Sequence, residues 1–255
     1  MKTLHIDSKG DVVALRLSRP EVRNALDDVL ISELTQAFAT LGPACRIVVL
    51  AGVGDAFCAG ADAQWMRRSK TFTKEENERD ATALASLLKA IDECPRPVIA
   101  RVHGAALGGG AGLVSACDIV IADEEAQFGF PEVRLGLIPA VISTFVLPRI
   151  GARAARRYFL TGERFGAAEA KAIGLVHEVT RPDLLDGRIE EIIRDLLRGG
   201  PNALTAAKQL IRDVAVLPRD AAIEQAIRSI AEIRVSPEAQ EGLSAFLEKR
   251  KPNWP

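Results

Sequence analysis

Val98-Ile99-Ala100-Arg101-Val102-His103-Gly104-Ala105-Ala106-Leu107-Gly108-Gly109-Gly110 is the stretch that decides the fold. Five residues of strand character run into a turn of small residues, and Ala111–Cys117 continues as a helical stretch. A strand, a glycine turn and a helix in that order belong to an α/β protein. The same grammar occurs upstream. Ile47–Ala51 reads as an apolar strand, and Asp55-Ala56-Phe57-Cys58-Ala59-Gly60-Ala61-Asp62 follows as a second small-residue turn. In both turns backbone N–H groups can face a ligand without side-chain obstruction. Those after the glycine cluster would also lie at a helix N-terminus, which favours negative charge. Two such donors converging on one oxygen form an oxyanion hole. On the residues alone, a close-packed turn is the simpler reading of either segment.

Working outward, Val12–Leu17 and Ile119–Ala122 read as further strands. Leu30, Leu34, Ala37, Phe38 and Leu41 have helical spacing, as do Leu84, Leu87, Leu88 and Ile91. Beyond Ala152 the pattern is mostly helical, with one strand candidate at Leu175–Val179. The last helices are expected over Pro201–Val216, Arg219–Ile233 and Pro237–Lys249. We therefore expect an α/β core over residues 1–195 and a helical region over 196–255.

Several chemistries lack their residues. A P-loop needs Gly-Lys-Ser/Thr, which is missing, and a dinucleotide fingerprint starting at Gly108 would need glycine where Leu113 stands. The serine-hydrolase elbow is missing too. No metal-ligand spacing is visible. The 255 residues carry 33 basic and 34 acidic side chains, a net charge of −1, so nothing in the balance points to nucleic acid or an anionic membrane. The four cysteines, Cys45, Cys58, Cys94 and Cys117, form no C-x-x-C pair and read as reduced, buried thiols. With no signal-peptide pattern and no apolar span, the expected location is the cytoplasm.

Four ordered segments resemble the crotonase (enoyl-CoA hydratase/isomerase) family, covering nearly the whole chain. Residues 55–62 and 103–110, the latter followed by Cys117-Asp118-Ile119, resemble the two oxyanion segments. Phe128-Gly129-Phe130-Pro131-Glu132 and the residues through Pro139 resemble the segment carrying a catalytic carboxylate. Arg19-Pro20-Glu21-Val22-Arg23-Asn24-Ala25-Leu26 resembles the coenzyme A loop. The resemblance implies a spiral of ββα units with a helical C-terminal region that forms homotrimers or dimers of trimers. It assigns the oxyanion N–H groups to Ala61 and Gly109 and the acid/base role to Glu132. It assigns coenzyme A contacts to Arg23, Ala25, Ala59 and Asp62, and to Phe246 and Lys249 across a subunit boundary. It implies an acyl-CoA thioester substrate and no prosthetic group.

One position departs from the pattern. Two-glutamate hydratases carry a second carboxylate where this chain has Gly112. Together with Arg134–Ser143 and Gly151–Thr161, that departure resembles methylglutaconyl-CoA and isohexenylglutaconyl-CoA hydratases. The implied activity is reversible hydration of a 2-enoyl-CoA of that type, in leucine degradation or related branched acyl-CoA metabolism. Isomerisation by a single glutamate and a degenerate acyl-CoA- or RNA-binding role stay open, and a peptidase would need a Ser–His pair. A distal substrate carboxylate would find a cation in Arg67 or Arg68.

Overall fold

A computed structural model describes residues 1–254. A hairpin opens the chain: β1 (Leu4–Lys9) pairs antiparallel with β2 (Val12–Leu17). Of β1 only Leu4 is buried, so no alternation marked this strand in the sequence. Next come α1 (Asp28–Ala39), β3 (Ile47–Gly52), α2 (Ala63–Ser69) and α3 (Lys74–Asp92). Helix α1 starts where Asp27 accepts the Leu30 N–H at 2.8 Å, and a Thr73/Glu76 capping box starts α3. Then follow β4 (Val98–Val102), β5 (Ala105–Leu107), α4 (Gly109–Ala116), β6 (Ile119–Asp123), β7 (Gln127–Gly129) and α5 (Ala140–Thr161). Helix α5 is two helical segments joined at Gly151, whose φ of 68° breaks the ladder.

The remaining elements are β8 (Arg164–Gly166), α6 (Ala167–Ala172), β9 (Glu178–Thr180), α7 (Leu185–Leu197), α8 (Pro201–Val216), α9 (Arg219–Arg234) and α10 (Pro237–Leu247). The strand expected at Leu175–Val179 begins three residues later. Leu175 and Val176 are apolar because they are buried, not because they pair, and Glu178–Thr180 carries the pairing to β6.

Six strands form one sheet in the order β1-β2-β3-β4-β6-β9, parallel from β2 onward. The continuous apolar runs of β3 and β4 suit strands covered on both faces. A second layer holds β5-β7-β8. Isolated bridges extend it, Cys58 pairing with Ala106 and Leu26 with Ala61. Each turn of the chain thus lays one strand in the large sheet, one short extended segment in the second layer, and then a helix. The units β4-β5-α4 and β6-β7-α5 are successive turns of this ββα spiral.

Backbone contacts divide the chain into two units. One holds residues 1–94 and 98–189, and the other holds 95–97 and 190–254. The first contains one aliphatic core in which Leu15, Leu50, Leu87 and Val98 are fully buried. In the second, the buried Glu238 accepts the N–H groups of Asn202 and Ala203 at 3.0 and 2.8 Å and so caps α8. All four cysteines are buried and none is in a disulfide among the described residues. No helix among them is long and apolar enough to cross a membrane.

Candidate active site

The site is assembled by two backbone zips. The first joins the loop after β2 to the segment after β3. Ala59 N–H donates to Arg23 O (2.9 Å), Leu26 N–H to Gly60 O (2.7 Å) and Asp62 N–H to Leu26 O (2.9 Å). Arg23 and Asn24 both take left-handed backbone, φ 52° and 55°. Asn tolerates that conformation, and here its fully buried side chain fixes the loop. Its amide donates to Val53 O (2.8 Å) and Ala56 O (2.7 Å), and its oxygen accepts the Arg19 N–H (2.8 Å). Arg23, Ala25, Ala59 and Asp62 are therefore brought together, although their side chains differ in role. That of Arg23 is exposed, and Ala25 is buried with its carbonyl held by the Arg19 guanidinium at 2.5 Å.

Asp62 is buried with its carboxylate turned toward the protein. It caps α2 through the Gln64 and Trp65 N–H groups and meets Arg19 at 3.0 Å. Burial opposes its charge, but those two N–H groups and Arg19 outweigh it and hold the carboxyl below the usual range. Asp62 and Arg19 thus anchor the turn at its neighbour, Ala61.

The second zip joins that turn to the next unit. Cys58 N–H donates to Ala105 O (2.9 Å), and Leu107 N–H to Cys58 O (3.0 Å). Ala61 stands at the end of one segment and Gly109 opens α4 at the end of the other. Among the described residues none accepts a hydrogen bond from the N–H of either. Two orphan donors on segments zipped to each other, one of them at a helix N-terminus, are candidates for holding a developing oxyanion.

Glu132 lies on the 3-10 turn Pro131–Leu135, directly after β7. Gly108 N–H donates to Gly129 O (2.9 Å), which brings this turn beside the head of α4. Gly108 has φ 50°, and a Cβ there would stand 3.0 Å from Glu132 Oε1. Glycine is required both for the turn and for the approach of the carboxyl group. Glu132 Oε2 is buried with no hydrogen-bond partner. Burial pushes this carboxyl above its ordinary range, against a weaker contribution from its own N–H. A half-buried carboxyl group with one uncommitted oxygen, next to the residue that precedes Gly109, has the character of a candidate acid/base group.

Residues 7–255 match the model of the family described as enoyl-CoA hydratase/isomerase. This chain belongs to that family, the crotonases. It is similar in structure to an enoyl-CoA hydratase from Shewanella pealeana, with a TM-score of 0.95 and 41% identity, covering 99% of this chain and 96% of that one. In sequence it is 33% identical to the 2,3-dehydroadipyl-CoA hydratase of Escherichia coli, covering 100% of this chain and 99% of the relative. It is 32% identical to the crotonyl-CoA hydratase of Syntrophomonas wolfei, covering 98% and 96%.

Within this crotonase, Gly112 leaves no room for a side chain. A Cβ there would lie 2.5 Å from Ile142 Cγ2 on α5 and 3.6 Å from Leu88 Cδ1 on α3. Arg68, 2.5 Å from Asp28, is engaged, whereas Arg67 is exposed and has no acidic partner among the described residues. Trp65, between Asp62 and these arginines, donates its indole N–H to Asp80 at 3.1 Å. In the C-terminal unit, Phe246 is exposed near the end of α10, and Lys249 adopts φ 55° with its N–H donated to Phe246 O at 3.2 Å.

Other reactive groups are occupied. His103 bonds the Gly54 carbonyl (2.7 Å) and Arg101 (3.1 Å), a loop-holding role. Burial pushes the Cys58 thiol up to about 12, so it is no nucleophile at neutral pH. Ser115 is buried and donates to Ala111 O within its own helix. Among the described residues one Ser–His contact exists, from Ser18, just after β2, to His5 on β1 at 3.2 Å. No carboxylate meets His5 among the described residues, so the orienting member of a triad is missing. No group of three or more His, Cys, Asp or Glu among them could hold a metal ion.

Sequence reasoning missed Arg19, Asn24 and Ile142. The Asn24 signal was readable, since an Asn shortly after Arg19-Pro20 is a candidate for left-handed turn backbone. Nothing in the sequence says that Ile142 faces Gly112.

Proposed function

We propose that this protein adds water reversibly to a 2-enoyl-CoA, and that its preferred substrate is of the 3-methylglutaconyl-CoA type. The observation that carries the reading is the buried, unpartnered Oε2 of Glu132, a residue whose other carboxyl oxygen faces Gly108 at the head of α4. As the water oxygen bonds the β-carbon, the double-bond electrons move toward the thioester, whose oxygen gains charge against the Ala61 and Gly109 N–H groups. Protonated Glu132 discharges this enolate by giving its proton to the α-carbon, and the proton lost by the water passes to the other oxygen of the carboxyl group. The cycle returns Glu132 to its starting state, and one carboxyl group suffices for both transfers.

With no acidic side chain at Gly112, the water needs another partner. A distal substrate carboxylate can supply one directly, or by docking on Arg67 and fixing the acyl group. The name of the Escherichia coli relative describes a dicarboxylic acyl thioester, whereas that of the Syntrophomonas wolfei relative describes one without a distal carboxylate. Turnover of 3-methylglutaconyl-CoA and crotonyl-CoA, assayed side by side, decides the matter. We expect the first to be favoured at least about tenfold in kcat/KM, the worth of one oriented contact near 1.4 kcal/mol. Equal turnover overturns the substrate proposal.

The single carboxylate also favours a second reading, double-bond isomerisation, in which one group moves a proton between carbons and no water adds. Product analysis separates the two, since a 3-hydroxyacyl-CoA forms only by hydration.

The helical C-terminal unit carries exposed Ile211, Val216, Ile227, Ile230, Val235 and Leu247. Apolar groups exposed in such number fit a subunit interface, and we infer a trimer or a dimer of trimers. Sedimentation at micromolar concentration is expected to give a multiple of three. A monomer would overturn both this and the use of Phe246 and Lys249 across a subunit boundary.

A further inference from the structure

Glu132 and Ile142 stand against successive turns of one helix. Glu132 Oε1 faces Gly108 and Ile142 Cγ2 faces Gly112. The Gly112 N–H donates to Gly108 O at 3.0 Å, so the two glycines are one helical turn apart. Ile142 is 3% exposed and Leu88 is fully buried. The wall that continues from the catalytic carboxyl group is therefore aliphatic, and the space beside Gly112 is already filled.

This filling is specific. A carbon at 112 would approach Ile142 Cγ2 at 2.5 Å and Ile142 Cβ at 3.0 Å. The first is far inside van der Waals contact. The second involves the branch point of a stiff side chain on a helix, which has one strongly preferred χ1 rotamer and cannot swing aside. The contact to Leu88 Cδ1, at 3.6 Å, is ordinary. Ile142, more than the rest of the core, closes the position.

We infer that Ile142 is a specificity-determining residue: by occupying the space beside Gly112 it bars a second carboxylate and leaves the attacking water dependent on a group borne by the substrate. The inference rests on the hydratase reading above. Gly112 and Ile142 then form one exchangeable pair. Glycine with isoleucine gives a one-carboxylate site for a substrate that brings its own acid. An acidic residue at 112 with a small residue at 142 gives a site that holds water by itself, one turn of α4 from Glu132. Neither half of the exchange works alone. Glu at 112 has no room against Ile142, and Ala at 142 leaves a void without a carboxylate.

Two measurements test this. The first is a stability cycle with Gly112→Ala in the wild type and in Ile142→Ala, at fixed protein concentration. Forcing one methyl group into a filled core should lower Tm by roughly 2–10 °C in the wild type, and the loss should largely vanish when Ile142 is Ala. An equal loss in both backgrounds overturns the inference, because something other than Ile142 would then fill the space.

The second is crotonyl-CoA hydration by Ile142→Ala, Gly112→Glu/Ile142→Ala and Gly112→Gln/Ile142→Ala. The Glu-bearing double variant should exceed both others by at least about tenfold, the low end of what a positioned acid/base group contributes. The Gln variant has the same size and no ionisable group, so it separates chemistry from packing. A folded Glu double variant with no gain overturns the inference. So does one that fails to fold, since room at 142 would then not be what position 112 lacked. Failure of the parent reading looks different: the wild type would form no 3-hydroxyacyl-CoA from either thioester, while the alanine cycle would still report what fills the space beside Gly112.

Discussion

Glu132→Gln will lower turnover of the preferred enoyl-CoA about 10²- to 10⁴-fold, the usual contribution of general acid–base catalysis. Gln keeps the length and a polar terminus on the 3-10 turn, so the approach to Gly108 is preserved. What disappears is the movable proton. The loss should appear in kcat, with CoA-thioester binding retained, because the Arg19–Leu26 loop, proposed to take the coenzyme A, is held by Arg19 and Asn24 and not by Glu132. Full activity of the Gln variant would remove Glu132 from the mechanism.

The same substitution has a stability signature of its own. Burial raises the Glu132 pKa above its ordinary 4.5, so the folded protein holds this proton more tightly than the unfolded chain does. That contribution is complete below about 4.5, the unfolded value, and is lost as pH rises through the folded value. Gln has no such dependence. The Tm of the variant relative to the wild type should therefore increase as pH is raised from 4.5 toward neutrality. A difference in Tm that does not move with pH would show that Glu132 is not a desolvated acid. A site that loses activity and gains relative stability on one change fits a group kept for its chemistry at the expense of the fold.

Much of this was legible in the sequence, for identifiable reasons. The strands β3 and β4 were readable because parallel strands covered on both faces are uninterrupted apolar runs. The two small-residue turns were readable because close backbone approach needs glycine and alanine. The three-residue strands β5, β7 and β8 were not. Each is too short to show a period, and their pairing is set by the spiral that stacks one unit on the next. Glu132 could be named, but its environment could not. That one oxygen is buried and unpartnered follows from β7 meeting the head of α4, a long-range contact. Gly112 was recognised as a missing carboxylate, while the reason the chain can do nothing else at that position lies 30 residues away in Ile142. Asp62 shows the opposite case. Its place in the small-residue turn after β3 was readable, whereas its carboxylate proved to be occupied by α2 and Arg19.

Gly109→Pro is expected to cost about 2.7–4 kcal/mol of transition-state stabilisation, roughly a hundred- to thousand-fold in rate, as for the loss of one oxyanion donor. The position makes the experiment clean. Gly109 is the first residue of α4 and Gly108 its N-cap. Proline is favoured at that first position, where the missing N–H has no helical partner in any case. Here the orphan N–H is the one assigned to the thioester oxygen, so a change that is mild for the helix is severe for catalysis. The added side-chain atoms do meet a neighbour, because a Cβ at 109 would lie 2.8 Å from Leu26 Cδ1. That contact is with the flexible end of a leucine, and Gly109→Ala reproduces it while keeping the N–H. Alanine should therefore retain most of the turnover that proline loses, with circular dichroism confirming that both variants fold. Equal loss in the two would assign the effect to crowding of Leu26. A folded proline variant with unchanged turnover would show that the thioester oxygen does not bind at Gly109.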